Sequence, residues 1–208
     1  MVSATTTVGR RTMLRRLYAT YAEDDAFAVL RAGARAVVHG DGSTAPRLMF
    51  VGEAPGRHED KAGKPFIGAS GRFLDEMLCS VNLNREEVFI TNAVKYRPVA
   101  PGTNRNRPPT DREVFASIWY LRKEHAILGS PPMVLLGKHA RHAAARLDQR
   151  SLRLGAPELH MKLGEWTTTL GVPMLPLYHP AYAIYQQANR PLLLDMFKAV
   201  LTPPTLHP

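Results

Sequence analysis

Four short, continuously apolar runs are spaced along the chain, with more polar segments between them. They are Leu48–Val51, Val88–Ile90, Met133–Leu136 and Val172–Tyr178. Because apolar and polar residues do not alternate within these runs, each is typical of a strand that is covered on both faces, as in a parallel sheet. The pattern therefore predicts four central strands.

Helical patterns occupy the segments between these runs. Apolar residues recur at helical spacing over Phe73–Val81, and Thr110 and Glu113 form a capping-box pattern that begins another helix. Further helices are predicted at Met13–Arg31, Lys138–Leu147 and Leu192–Leu201. Alternating strands and helices predict an α/β fold, a three-layer α/β/α arrangement around a central, mainly parallel four-stranded sheet.

Composition and charge narrow the class of protein. The chain has 208 residues, and no apolar run in it approaches the roughly 20 residues that a membrane-spanning helix needs. An excess of 27 Lys and Arg over 18 Asp and Glu gives a net charge of +9, which suits a polyanionic partner. The single cysteine, Cys79, which we expect to be buried, excludes a disulfide framework and any all-cysteine metal site within the chain.

The beginning of the chain is basic. Residues 1–18 carry four arginines and no acid, a composition that transit peptides and basic arms share. We interpret residues 1–36 as a basic arm and helix, and residues 37–208 as the main domain, the two forming one compact unit. Nothing else in the sequence indicates export or a membrane, so we expect a cytoplasmic protein. Separately, we expect the protein to be a monomer.

Polar side chains follow three of the four predicted strands directly. Glu53, Asn92 and His179 each stand where an apolar run ends. Ligands of open parallel sheets bind at the carboxyl ends of the strands, so these three side chains are able to converge on one pocket. The alternative is that each of them only caps or turns its own loop.

Several ordered motifs lie around these residues. They are Val51–Asp60, Gly63–Gly68, Ser70–Arg72, Ile90–Pro98 and Tyr178–Tyr182. Together they resemble the uracil-DNA glycosylase superfamily, and most closely its family 4, the thermostable bacterial and archaeal type. The resemblance extends from about Val37 to the C-terminus.

The resemblance implies a role for each residue of the pocket. Glu53 would face the scissile glycosidic bond as a catalytic residue, and His179 would be catalytic at the uracil carbonyl that gains charge. Gly52, Phe66 and Asn92 would bind the base, with Phe66 stacking on it and Asn92 reading its edge. For each of these side chains, a core, turn or surface role is the alternative.

The resemblance also implies contacts with DNA. Ile184 and Tyr185 belong to the segment that would fill the hole left by the flipped base. The loop of residues 95–109 carries four basic residues and no acid, so Arg105 and Arg107 are candidate phosphate contacts. The alternative is a solvated basic loop. A related branch traps DNA covalently through a histidine of this loop; this chain has no histidine there.

The chain departs from family 4 in its cysteines. Family 4 holds a four-iron cluster on four cysteines, and the corresponding positions here are Tyr96, Ser117 and, approximately, Asp25 and Ala28. Cys79 matches none of them. We therefore predict no cluster and no other cofactor.

The predicted function is that of a monofunctional DNA glycosylase. It would flip uracil out of DNA, with other deaminated bases as further candidates, and hydrolyse the N-glycosidic bond to leave an abasic site. The alternative is a non-catalytic nucleic-acid-binding member of the same superfamily. A nucleotide hydrolase is less well supported, because the sequence has no P-loop and no metal-binding cluster.

Overall fold

A computed structural model describes residues 6–147, 161–169 and 171–204, and its centre is one mixed sheet of six strands. The strands are β1 Asp41–Gly42, β2 Met49–Gly52, β3 Phe89–Asn92, β4 Met133–Leu136, β5 Thr167–Thr169 and β6 Val172–Leu177. Their order across the sheet is β1-β3-β2-β4-β6-β5. The inner four strands are parallel, whereas β1 and β5 pair antiparallel at the two edges.

The prediction of an α/β fold is confirmed, but the prediction of a four-stranded sheet is wrong. The four predicted strands form the parallel centre of the sheet, and the two edge strands were missed. β1 has two residues, and β5 consists of three threonines. Neither edge strand is a continuous apolar run, so neither carries the signal by which the inner strands were found.

Among the described residues, eight α-helices surround the sheet. They are α1 Thr7–Glu23, α2 Ala28–Gly33, α3 Arg57–Ala62, α4 Ala69–Ser80, α5 Asp111–Ile127, α6 Lys138–Ala145, α7 Ala181–Tyr185 and α8 Arg190–Phe197. No helix in the described part of the chain is long and apolar enough to cross a membrane.

The predicted first helix is divided in two. Met13–Arg31 was expected to be one helix, but α1 ends at Glu23 and α2 begins at Ala28. Asp24 leaves the helical conformation, and its carboxylate accepts the N–H of Ala26 to start a 3-10 turn. An Asp side chain that bonds its own backbone two residues on competes with helix continuation. α3 and α7, each six residues or fewer, were not predicted.

Two apolar clusters cover the two faces of the sheet. Met49, Val51, Met133 and Leu135 face one cluster, which also contains buried residues of α1, α5 and α6. Phe50, Ile90, Val134 and Leu175 face the other, which contains buried residues of α4 and α8. Alternate residues of the same strands thus point to opposite layers, and the arrangement has the expected three layers. The boundary after residue 36 stays a prediction.

A polar network is enclosed between α1, α5 and the loop after β3. Lys95 Nζ lies 2.7 Å from Glu124 Oε2, and both side chains are almost fully buried. The ammonium also donates to Thr91 Oγ1 and to the main-chain oxygen of Asn92, each at 2.6 Å. Glu124 accepts a further hydrogen bond from the hydroxyl of Tyr18 on α1. A buried pair of this kind is tolerated because each charge is paired and hydrogen-bonded.

An aromatic cluster lies next to this network. Tyr21 stacks on Phe27 with ring centroids 4.0 Å apart and contacts the rings of Tyr96 and Tyr120. The Tyr21 hydroxyl is 3.1 Å from Ser117 Oγ. Burial raises the pKa of Tyr21 far above its ordinary value, so the phenol stays protonated. The cluster is thus packed from neutral rings and hydroxyl groups.

Candidate active site

The carboxyl edge of the parallel strands opens into a cleft of about 620 Å³. Glu53 follows β2 directly, Asn92 ends β3, and His179 stands two residues after β6. The register places Gly52 opposite Asn92, so the ends of β2 and β3 are level. Residues predicted from the sequence that line the cleft are Glu53, Phe66, Asn92, Arg107, His179, Ile184 and Tyr185. The expected convergence of the three strand ends is therefore present, while the roles of the residues stay predictions.

Gly52 does not line the cleft itself but stands against two residues that do. A Cβ atom placed on Gly52 would lie 2.4 Å from Asn92 Oδ1 and 2.5 Å from Phe66 Cζ. Any side chain here would therefore displace the amide of Asn92 or the ring of Phe66. Gly52 shapes the cleft by its lack of a side chain.

The backbone at Phe66 is strained. Its φ is +51°, a left-handed value that a bulky residue rarely adopts and that costs on the order of 1–3 kcal/mol. The guanidinium of Arg85 donates to the Phe66 carbonyl oxygen at 2.5 Å. A Cβ on Gly71 would lie only 1.8 Å from that same oxygen, so glycine at 71 is required for this approach. The backbone held in this way places the buried ring of Phe66 with its centroid 5.8 Å from that of His179.

Glu59, which was missed from the sequence, ties this loop to α3. Its carboxylate accepts the backbone N–H groups of Gly56, Ile67 and Gly68 at 3.1, 3.0 and 2.8 Å. One carboxylate thus connects the turn after β2 with the segment that carries Phe66. A Glu three residues after a glycine at the start of a helix is a recognisable N-terminal signal, although the glycine has no side chain to complete it.

The hydrogen bonding of His179 determines its tautomer. The backbone N–H of Ala181 donates to His179 Nδ1 at 3.1 Å, so Nδ1 is an acceptor. Burial lowers the pKa of His179, while the charges of Glu53 and Glu59 work in the opposite direction. The neutral ring that results carries its proton on Nε2. His179 therefore offers the cleft one N–H donor.

Glu53 is paired with a histidine that sequence reasoning missed. His139 Nδ1 lies 2.6 Å from Glu53 Oε2, and the side chains are 24% and 32% exposed. The hydrogen bond with Glu53 raises the pKa of His139 against the effect of burial. His139 stands three residues after β4, so the rule that identified Glu53, Asn92 and His179 applies to this fourth strand end as well.

The basic loop is largely held by internal contacts. Arg97 is buried and donates to Asn104 and Asn106, both within the loop. Arg107 makes a bidentate pair with Glu113 at 2.7 and 2.6 Å, which joins the loop to the first turn of α5. Arg105 is exposed and lies outside the cleft. Phosphate contacts by Arg105 and Arg107 stay predictions, and the charge of Arg107 is already balanced by Glu113.

α7 carries the predicted wedge at the rim of the cleft. Ile184 is partly buried, whereas Tyr185 is 86% exposed. The ring of Tyr182, which is also on α7, stacks on the ring of Tyr178 with centroids 4.8 Å apart. An exposed aromatic side chain beside a cleft is suited to stacking on a base.

The expectation that Cys79 is buried is wrong. Cys79 is exposed on α4, whose buried face includes Leu74, Met77 and Leu78. It follows Leu78 directly, so the helical rotation of one residue turns it towards solvent. Within residues 6–147, 161–169 and 171–204, no group of three or more His, Cys, Asp or Glu side chains is placed to hold a metal ion.

Comparison with known proteins gives consistent matches. The sequence model of the uracil DNA glycosylase superfamily matches residues 39–201. A type-4 uracil-DNA glycosylase of Sulfurisphaera tokodaii is 35% identical over 166 residues, which cover 78% of this chain and 72% of that protein. Type-4 uracil-DNA glycosylases of Archaeoglobus fulgidus and Thermotoga maritima are 35% and 34% identical, over 78% of this chain and 79% and 81% of theirs.

Proposed function

The chain belongs to the uracil DNA glycosylase superfamily, and we propose that it is a monofunctional glycosylase that removes uracil from DNA and leaves an abasic site. The observation that carries the proposal is the shared cleft of Glu53, Phe66, Asn92 and His179. The names of the type-4 relatives support the same activity. The net charge of +9 supports a DNA substrate.

Base recognition falls to Phe66 and Asn92. A base within a duplex is out of reach, so it must be flipped into a pocket at a cost of a few kcal/mol. The strained, buried Phe66 presents a ring fixed in position on which a planar base stacks. The amide of Asn92 offers both a donor and an acceptor, which matches the edge of uracil.

Bond cleavage falls to His179 and Glu53. As the glycosidic bond breaks, negative charge develops on the base and positive charge on the sugar. The Nε2–H of neutral His179 would donate to the base carbonyl that gains charge, an interaction that is stronger in the transition state than in the ground state. The Glu53 carboxylate would stabilise the sugar cation and orient the attacking water.

DNA contacts extend the proposal beyond the cleft. Tyr185 and Ile184 would enter the duplex where the base has left, and Arg105 and Arg107 would approach phosphates. Hypoxanthine and xanthine are further candidate substrates because they too are products of deamination. A monomeric state and a cytoplasmic location stay expectations.

The residues at the family's cluster positions do not fit an iron–sulfur cluster. Tyr96 and Ser117 offer hydroxyl oxygens, not thiolates, and they pack into the aromatic cluster around Tyr21. Asp25 is exposed and pairs with Arg31, and Ala28 has no ligand atom. We expect purified protein to be colourless. Stoichiometric iron or a brown visible absorption would contradict this expectation.

The function is tested with labelled oligonucleotides that carry uracil, hypoxanthine or xanthine, as single strands and opposite each base. Wild-type protein should create alkali-labile sites at uracil, and the Glu53→Gln variant should create far fewer. The Asn92→Asp variant should discriminate less well between uracil and cytosine, because an ionised carboxylate has no donor. Tight DNA binding without release of any base would instead favour the non-catalytic alternative.

A further inference from the structure

His139 on α6 contacts Glu53, and the start of α6 is anchored to the sheet. α6 begins after Gly137, whose φ is +91° and whose N–H bonds the carbonyl oxygen of Leu177 at the end of β6. The next helix residues include Ala140, which is fully buried against the sheet. His139 therefore projects from a short helix that is anchored to two parallel strands. Its Nδ1 reaches Glu53 Oε2 at 2.6 Å.

The contact has the geometry of an oriented pair rather than of a passing surface contact. A separation of 2.6 Å between Nδ1 and Oε2 is short for a nitrogen–oxygen hydrogen bond, as expected when at least one partner is charged. The bond to His139 uses only Oε2, and Glu53 itself lines the cleft. One oxygen is thus used for anchoring, and the other stays available to a sugar or to a water molecule.

We propose that His139 is a positioning residue for the glycosylase reaction, which holds Glu53 through Nδ1–H and sets the net charge of the pair by gaining or losing the proton on Nε2. The proposal rests on the proposed function, because it assigns Glu53 to the sugar cation. In the imidazolium form the pair is neutral. In the neutral form, Nδ1–H still donates, and the pair carries the full negative charge of Glu53.

The charged and titratable groups around His139 determine the direction in which its pKa is shifted. The hydrogen bond with Glu53 raises the pKa of the ring, burial and Lys138 lower it, and Asp111 at the start of α5 raises it. His142, one helical turn on, faces it with ring centroids 6.4 Å apart. The net effect raises the pKa of His139 above its ordinary value, with the hydrogen bond to Glu53 as the largest cause.

The two forms of the pair should differ in catalytic power. A negative pair stabilises a sugar cation better than a neutral pair does, so the chemical rate should rise as the pH rises through the pKa of His139. For partly exposed charges such as these, the expected increase is about two- to fivefold. Loss of the hydrogen bond from His139 is a separate effect. The Glu53 carboxylate would then be free to rotate, and the rate should fall by on the order of tenfold at every pH.

Two variants separate these effects. His139→Gln keeps an amide N–H donor but cannot gain a charge, so it should stay close to the high-pH rate of the wild type and lose the pH dependence. His139→Ala has neither the donor nor the charge, so it should be slow throughout. His58→Gln is the matched control, because His58 is an exposed histidine at the same cleft without a bond to Glu53. It should keep the wild-type pH profile.

The measurement is the single-turnover rate on uracil-containing duplex DNA from about pH 5.5 to 9, with the affinity for abasic DNA measured separately. A His139→Gln profile that matches the wild type would overturn the charge step. A His139→Ala rate equal to the wild type would overturn the positioning role. Lys138→Gln removes a charge that lowers the pKa of His139 and should move the midpoint of the profile upwards.

A readout without activity distinguishes this proposal from the function on which it rests. The ring of His139 is followed by NMR titration, with its signal assigned by its loss in His139→Gln. Its pKa should be raised in the wild type and should fall in Glu53→Gln. If the wild type releases no uracil while this shift is observed, the glycosylase function fails and the pair stands. If the shift is absent, the pair itself is wrong.

Discussion

Two carboxylates of this protein have cationic or ionisable partners at nearly the same distance and in opposite surroundings. Glu124 lies 2.7 Å from Lys95 in the dry interior, where both side chains are at most 1% exposed. Glu53, which lines the cleft, lies 2.6 Å from His139, and the two side chains are 32% and 24% exposed. Burial, not distance, separates their roles. Glu53 and His139 are exposed enough to exchange a proton with water. Lys95 and Glu124 are shielded from water.

The two pairs are also connected through the third strand. Lys95 donates to the main-chain oxygen of Asn92, whose side chain lines the cleft. The buried pair therefore supports the end of β3, and Glu53 of the exposed pair lines the cleft itself. One pair should contribute mainly to folding, and the other mainly to chemistry.

The largest effect on stability is expected at Glu124. Glu124→Gln leaves Lys95 as an uncompensated buried charge, and breaking such a pair costs about 3–5 kcal/mol. The double variant Lys95→Met with Glu124→Gln should recover much of the loss, since the Gln oxygen still accepts from Tyr18 and Thr91. Urea unfolding gives the free energies. A single variant within about 1 kcal/mol of the wild type would show that this pair behaves like a surface pair.

The largest effect on chemistry is expected at Glu53 and His179. Glu53→Gln and His179→Ala should each lower the single-turnover rate by on the order of 10²–10³-fold, the usual loss for one preorganised transition-state interaction. Binding of uracil-containing DNA should change much less. The free energy of unfolding of Glu53→Gln should change by less than about 1 kcal/mol, because the pair is partly exposed to solvent. Near-normal rates in both variants would remove these residues from the mechanism.

Acid should weaken the fold through its histidines. Burial lowers the pKa of His125 and of His179, so each stays neutral in the folded protein where the unfolded chain is already protonated. Their contribution is present above about pH 6.5 and is lost as the pH falls, with a slope of up to about 1.4 kcal/mol per pH unit for each proton.

The contribution of His139 to stability changes with pH in the opposite direction. Its raised pKa gives a contribution that is present below about pH 6.5 and is lost as the pH rises through the folded value. Its partial exposure makes that contribution small. Urea unfolding at several pH values checks both statements: His125→Gln should flatten the acid slope, and His139→Gln should leave it almost unchanged.

The smallest effect is expected for DNA binding by the basic loop. Exposed Arg105 can be compared there with Arg107, which is paired with Glu113. If Arg105 contacts a phosphate, Arg105→Ala should reduce the salt slope of DNA binding by about 0.9. Arg107 is already paired with Glu113, so Arg107→Ala should destabilise the start of α5 as well as change DNA binding. Equal salt slopes for Arg105→Ala and the wild type would indicate that the exposed arginine is only solvated.

The inner sheet and the convergence of Glu53, Asn92 and His179 could be predicted because their signals are local. Continuous apolar runs mark strands that are buried on both faces, and a polar residue after each run marks a strand end. The side chain at the end of β4 was not predicted, because Gly137 and Lys138 separate the apolar run from His139. In addition, none of the motifs shared with the glycosylase superfamily includes that position.

The remaining features depend on contacts that are distant in sequence. Whether Arg107 is free or paired is decided by where α5 places Glu113. The burial of Lys95 depends on Glu124, which is 29 residues further along the chain. Likewise, the left-handed backbone of Phe66 relies on Arg85 and Gly71 together. No periodicity within one segment carries this information.

The two edge strands that interrupt the parallel pattern have a consequence for association between molecules. A sheet edge is a row of unpaired backbone groups that can recruit a strand from another copy. Here one edge has only Asp41 and Gly42, and the other has three threonines. Short, polar edges offer little backbone and little apolar surface for such recruitment. The apolar strands that would aggregate most readily are therefore kept inside the sheet, and these edge strands disfavour growth of the sheet from one molecule to the next.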